Sequence, residues 1–168
     1  MKIIFNFRSL FLLGLCASLA ILGSAYFLEY GFNYIPCPLC LLQRYALWGI
    51  LVLFGIGFLY PGKNLSRLFI CSGLISFSVL GILLASRHLW LQHLPPGAIA
   101  SCGADLERLL QFKPFLEVFK EVFMNAEECA RIDFTFLGLS LSLWSLLAFI
   151  GFAVFSSLIL ILQIKRRI

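Results

Sequence analysis

Charge is what this chain has least of. Lys, Arg, Asp and Glu together make up 12% of its 168 residues, whereas hydrophobic residues make up 61%. A soluble globular domain carries roughly twice that share of charge, so an ordinary water-soluble fold is excluded. The apolar residues gather in four long runs, from about Leu10 to Leu28, Tyr45 to Tyr60, Leu68 to Leu84 and Phe136 to Leu162. A helix needs about 20 such residues to cross about 30 Å of hydrocarbon, and each run supplies a stretch of that kind. Ionisable side chains are almost missing inside the runs. A transporter would ordinarily need them to line a path.

Acidic residues are absent from three segments, and those segments hold most of the basic ones. Lys2 and Arg8 lie at the N-terminus, Lys63 and Arg67 between runs two and three, and Lys165, Arg166 and Arg167 in the C-terminal tail. The positive-inside rule puts all three on the cytoplasmic face. Every acid, from Glu29 through Asp105, Glu107, Glu117, Glu121, Glu127 and Glu128 to Asp133, falls on the opposite side or at its edge. The formal net charge of +5 is thus explained by topology and calls for no nucleic-acid partner. A cleavable signal peptide is the competing reading of the first run, with Gly23, Ser24 and Ala25 as a small-residue patch. The run is long for a signal core, and its removal would leave an odd number of spans. The expected fold is a single all-α integral membrane domain over 1–168, a four-transmembrane-helix bundle.

With both termini inside, two loops face out, about 30–44 and 86–135. Four of the six cysteines lie on them: Cys37 and Cys40 on the first, Cys102 and Cys129 on the second. An extracytoplasmic compartment is where disulfides form and persist. Cys16 and Cys71 fall inside spans and read as small buried hydrophobes. The four loop cysteines admit three readings: a redox pair of pairs, two structural disulfides, or a four-cysteine zinc site. Zinc ligands normally come as two close pairs, and the second pair here is widely spaced. No metal site is expected, and the three ways of pairing four cysteines stay open.

The local chemistry of "IPCPLCLLQR" favours the redox reading. Pro36 and Pro38 precede the second span, and proline is well tolerated in a first helical turn. Cys40 is therefore expected at a helix N-terminus, where unpaired amides and the helix dipole favour a thiolate. Arg44 follows one turn later, placed to stabilise that thiolate or to polarise a bound carbonyl oxygen. In the long loop, Phe112, Phe115, Leu116, Phe119, Val122 and Phe123 recur at helical spacing. Twelve residues are too few to span, so this segment reads as a short amphipathic helix on the outer membrane surface. His88, one of only two histidines, lies at the outer end of span three, at the expected depth of Cys40 and Arg44.

These segments resemble a known family. "CPLCLLQR", "RHLWLQ", "SCGADLERLL" and "EECARIDFTFLGLS", with four spans in the right order, are similar to the DsbB family of quinone-coupled disulfide-forming proteins of the bacterial inner membrane. The resemblance implies that Cys37 and Cys40 are the quinone-proximal pair, with Cys40 the thiolate facing the ring. It implies that Arg44 and His88 bind the quinone, ubiquinone or menaquinone. Cys102 and Cys129 match the mobile-loop pair, with Cys102 attacked by a periplasmic, thioredoxin-fold oxidase of the DsbA type. "NAEEC" stands where a glycine-containing turn is expected, and Ser142 where many relatives carry proline; these departures bear on loop flexibility and partner preference.

The family's logic is thermodynamic. DsbA is an established strong oxidant at about −120 mV, and its reoxidation by a glutathione pool near −180 mV would be uphill by roughly 3 kcal/mol for two electrons. A quinone accepts at higher potential and is found in the bilayer. Two rivals have different signatures. In a vitamin K epoxide reductase-like protein the quinone-side CxxC falls late in the chain, whereas here it opens span two. A non-enzymatic four-helix scaffold would carry inert, fully paired cysteines.

Overall fold

The computed structural model describes residues 7–32, 37–60, 64–93, 114, 135–136 and 138–165. Within them are four long helices: α1 (Phe7–Phe32), α2 (Pro38–Leu59), α3 (Asn64–Gln92) and α4 (Leu141–Lys165). All four are long and apolar enough to cross a membrane. Even the shortest, at 22 residues, measures about 33 Å at 1.5 Å per residue. A two-residue antiparallel pair, β1 (Thr135–Phe136) with β2 (Leu139–Ser140), leads directly into α4. Gly138 has φ +78° in the turn between these strands, a left-handed conformation that glycine adopts without steric cost.

Cross-helix contacts fix the direction of each helix. Phe11 near the start of α1 packs on Phe54 near the end of α2, and Arg67 at the start of α3 stacks over Phe7 at 4.9 Å. At the other end, Glu29 of α1 meets Arg44 of α2, and Cys37 approaches His88 of α3. The helices therefore alternate in direction. α3 lies along both α2 and α4, α1 lies along α2, and α1 touches α4 only sparingly.

Between helices in lipid there is little hydrophobic driving force, so association depends on close van der Waals packing and small residues. Phe54 is fully buried at the centre, with the rings of Phe11, Phe152 and Phe155 at 6.2, 6.0 and 6.1 Å. Glycines provide the notches that receive such rings. A Cβ on Gly14 would collide with the Phe54 ring, and one on Gly81 with the Phe149 ring. The outer surface is the reverse, with Leu13, Leu19, Phe69, Leu83 and Val154 exposed, as expected of side chains that face acyl chains.

The four-span bundle is the architecture expected from the sequence, but its helices outrun the apolar runs. α2 starts at Pro38 rather than about 45, because Cys37 caps it and Pro38 sits at its first position. The outward loop expected over 30–44 thus shrinks, while Cys40 lies in the first turn of a helix with Arg44 one turn on, as the prolines and spacing suggest. α3 continues to Gln92 instead of ending near Leu84, so His88 is carried on a regular helix rather than in a loop. α4 begins at Leu141, not at Phe136, because the Gly138 turn interrupts the backbone ahead of it. Apart from Pro114, the amphipathic helix expected over 112–123 lies outside the described residues, as do Cys102 and Cys129.

Candidate functional site

The N-terminus of α2 builds the site. Cys37 is the N-cap in an extended conformation (φ −68°, ψ 161°). Its carbonyl accepts the first helical hydrogen bond from Leu41 N–H at 3.1 Å, while its Sγ accepts from Cys40 N–H at 3.4 Å. Sulfur thus takes the capping role usually filled by a Ser or Asp oxygen. The cap folds Cys37 back over the first turn and brings its Sγ to 2.9 Å from that of Cys40. Their separation is under 1 Å greater than the roughly 2.05 Å of a bonded pair.

His88 reaches the same point from α3. Its Nε2 is 3.8 Å from Cys37 Sγ and its Nδ1 is 3.9 Å from Cys40 Sγ. The imidazole is 4% exposed, and the Gln43 side chain beside it 7%. Gln43 Nε2 stands 3.4 Å from His88 Nδ1. The amide can donate to Nδ1 through Nε2 or, turned over, accept from it through Oε1, so Gln43 supports either ring tautomer. As residues, Cys37 and Cys40 are only half-buried, so the cluster is sealed on the side of Gln43 and His88 and less closed on the side of the cysteines.

Arg44 is directed toward α1. Its guanidinium pairs with Glu29 and lies over the Tyr26 ring at 4.4 Å. Trp48 Nε1 donates to the Tyr26 hydroxyl at 3.4 Å, and Tyr26 stacks on Tyr30. Side-chain exposures of 13% for Arg44 and 23% for Glu29 mark a pair drawn mostly out of water, where the carboxylate compensates the guanidinium. A guanidinium has five N–H donors, and the Glu29 contact uses the Nη1 end. On α3, Arg87 lies over Trp90 at 4.3 Å, which adds to an aromatic and cationic belt typical of a membrane boundary.

Of the residues singled out from sequence, Cys37, Cys40 and His88 thus come together, and their ligand atoms all lie within 4.8 Å of one another. Arg44 belongs to an adjoining cluster with Glu29 and Tyr26. Gln43, Glu29 and Tyr26 were not singled out beforehand. Gln43 could have been found from its position, one turn after Cys40 on the first face of α2; the other two depend on how α1 packs.

The family model for "Disulfide bond formation protein DsbB" matches residues 7–159. "Disulfide bond formation protein B" of Chromohalobacter salexigens is 41% identical over 145 residues, covering 85% of this chain and 82% of that protein. The protein of the same name from Hahella chejuensis is 38% identical, covering 86% and 88%. That from Methylobacillus flagellatus is 34% identical, covering 93% and 94%.

Proposed function

Because the chain belongs to the DsbB family, we propose that this multi-pass membrane protein reoxidises a periplasmic dithiol oxidase of the DsbA type and passes the electrons to a membrane quinone. The observation that carries the reading is the pair of sulfurs 2.9 Å apart at the capped end of a spanning helix, with His88 against both. A scaffold has no need of two half-buried cysteines set against a buried imidazole. In this reading the cysteine-bearing end of the bundle is periplasmic, both termini are cytoplasmic, and the membrane is the bacterial inner membrane.

The residues suit a quinone. A flat ring with two carbonyl oxygens needs access from lipid to one sulfur and N–H donors at its rim. Cys40 is half-buried rather than sealed, and His88 and Arg44 provide donors on neighbouring helices. The quinone's contribution is to accept two electrons at a potential above that of a DsbA-type pair.

The remaining steps belong to the chain. The partner's thiolate attacks Cys102 of a Cys102 to Cys129 disulfide, releasing Cys129 as thiolate. Cys129 attacks Cys37 of a Cys37 to Cys40 disulfide, and Cys40 leaves as thiolate at the α2 N-terminus, where the helix dipole stabilises it. The partner's second thiolate then attacks its own sulfur in the mixed disulfide and departs oxidised, releasing Cys102 as thiolate; Cys102 attacks Cys129 in the Cys129 to Cys37 disulfide, which re-forms the Cys102 to Cys129 disulfide and frees Cys37. When Cys37 and Cys40 rejoin, two electrons and two protons leave the pair, and His88, oriented by Gln43, is placed to hold the proton beside Cys37. Arg44, anchored by Glu29, keeps a fixed positive charge one turn from Cys40.

The test is anaerobic turnover of purified protein in detergent with a reduced DsbA-type partner and a limiting quinone. Two partner thiols lost per quinone reduced supports the proposal. Fully paired, inert cysteines with no quinone loss would return the loops to structural staples.

A further inference from the structure

Two thiols and an imidazole converging on one point are also a set of soft metal ligands. We propose that in its dithiol state the chain binds one closed-shell cation, Zn²⁺ or Cd²⁺, through Cys37 Sγ, Cys40 Sγ and His88 Nε2, and that the ion blocks re-formation of the Cys37 to Cys40 disulfide.

Geometry carries the inference. Tetrahedral zinc with bonds of about 2.3 Å to sulfur and about 2.0–2.1 Å to imidazole nitrogen places its ligand atoms roughly 3.5–3.8 Å apart. Cys37 Sγ is already 3.8 Å from His88 Nε2, Cys40 Sγ is 3.9 Å from the Nδ1 of the same ring, and one ligand atom from each of the three residues lies within 4.8 Å of the others. The sulfurs, at 2.9 Å, need to part by just under 1 Å, a small χ1 adjustment of the half-exposed Cys40 or Cys37. His88 comes from the middle of a helical turn and is buried, so the third ligand is held in place.

The surroundings agree. A metal-bound histidine ordinarily donates its other ring N–H to a neighbouring acceptor. A half-turn of the Gln43 amide puts Oε1 where Nε2 now stands, 3.4 Å from His88 Nδ1, and makes it that acceptor. Charge also balances. Two thiolates neutralise a divalent ion, which suits a membrane boundary where an uncompensated charge is costly, and the nearby Arg44 charge is offset by Glu29. The fourth position stays open, as in other Cys₂His centres.

Binding breaks two S–H bonds, forms two metal–sulfur bonds and one metal–nitrogen bond, and releases two protons to solvent with no change in oxidation state. Thiolate is the ligand, so the disulfide form lacks the site. The proposal needs neither quinone nor partner, and it fails or stands independently of the turnover assay above.

The test uses Co²⁺ as a spectroscopic stand-in for Zn²⁺, added anaerobically to phosphine-reduced protein in detergent. A Cys102→Ser/Cys129→Ser chain removes the other loop pair as a source of ligands. The expected result is one Co²⁺ per chain, with tetrahedral d–d bands and sulfur charge transfer, displaced by Zn²⁺ and absent from the oxidised protein. Gln43→Leu should weaken binding about 10-fold, the lower end of an outer-shell loss, and His88→Ala more strongly. Cys16→Ala/Cys71→Ala should leave the spectrum unchanged. Zn²⁺ preloading should stop reoxidation of the pair by a small-molecule dithiol oxidant such as diamide until a chelator is supplied. No 1:1 complex, or one that survives Cys40→Ser or His88→Ala with unchanged affinity, would overturn the proposal.

Discussion

Nε2 of His88 lies 3.8 Å from Sγ of Cys37, a residue 51 positions earlier in the chain. Two spanning helices hold this relationship, since Cys37 caps α2 and His88 rides the last turns of α3. An imidazole beside two sulfurs can accept, hold or return a proton when the sulfurs change between thiol, thiolate and disulfide.

That contact depends on Gln43. Gln43→Leu keeps the volume but removes the hydrogen bond to His88 Nδ1 and leaves a buried ring nitrogen unsatisfied, at a cost of about 1–3 kcal/mol. The expected outcome is a several-fold lower kcat for quinone reduction with a smaller change in KM, and Gln43→Glu, which can still hydrogen-bond the ring, should recover part of it. A loss confined to thermal stability, with kcat intact, would leave Gln43 as a packing residue.

Glu29 should matter through Arg44. Glu29→Ala removes the carboxylate that compensates a mostly buried guanidinium. Removing one partner of a fully buried pair costs roughly 3–5 kcal/mol; the residual exposures of 13% and 23% reduce the expected loss to about 1–2 kcal/mol. The apparent KM for quinone should change with it, whereas alkylation of Cys102 should proceed at the wild-type rate. An unaltered quinone dependence would separate the Glu29 and Arg44 pair from the site.

Phe54 occupies the space above Gly14, and Phe149 that above Gly81. Gly14→Leu and Gly81→Leu should each displace a buried ring, with overpacking costs of about 1–3 kcal/mol or more. Lower thermal midpoints in detergent would show it. Gly23→Ala and Gly151→Ala, where an added Cβ meets nothing within 4 Å, provide the comparison and should be neutral.

Cys16 and Cys71 lie on helices away from the α2 cap; Cys71 is buried as its sequence suggests, whereas Cys16, expected to be buried too, is exposed on the bundle exterior because its face of α1 has no helix packed on it. Cys16→Ala and Cys71→Ala should leave oxidase turnover within about two-fold of the parent, with at most a small packing loss at Cys71. A large loss of turnover in folded protein would give one of them a redox role.

Much of this arrangement could be read in advance, and the part that could not has identifiable causes. Apolar run length shows that there are four spans, but a run stops at its first polar residue while a helix continues through it. Arg44, Gln43 and His88 interrupt hydropathy without interrupting hydrogen bonding, so α2 begins earlier and α3 ends later than the runs do. Pro38 after Cys37 did carry the true start of α2, since proline suits a first helical position. The contacts of Glu29 with Arg44 and of Gln43 with His88, 15 and 45 residues apart, depend on which helices are neighbours, which no local pattern encodes. The glycine notches are equally tertiary, since a glycine in a span looks the same whether or not a phenylalanine faces it.

The most direct test of the central claim is a single-turnover measurement. Cys102→Ser/Cys129→Ser protein, reduced and freed of reductant, is mixed anaerobically with excess quinone, and both quinone absorbance and the thiol state of Cys37 and Cys40 are followed. The account predicts one quinone reduced per chain as the Cys37 to Cys40 disulfide forms, and no reduction once Cys40→Ser is added to that background. Quinone that stays oxidised beside intact thiols, or reduction that persists without Cys40, would contradict it.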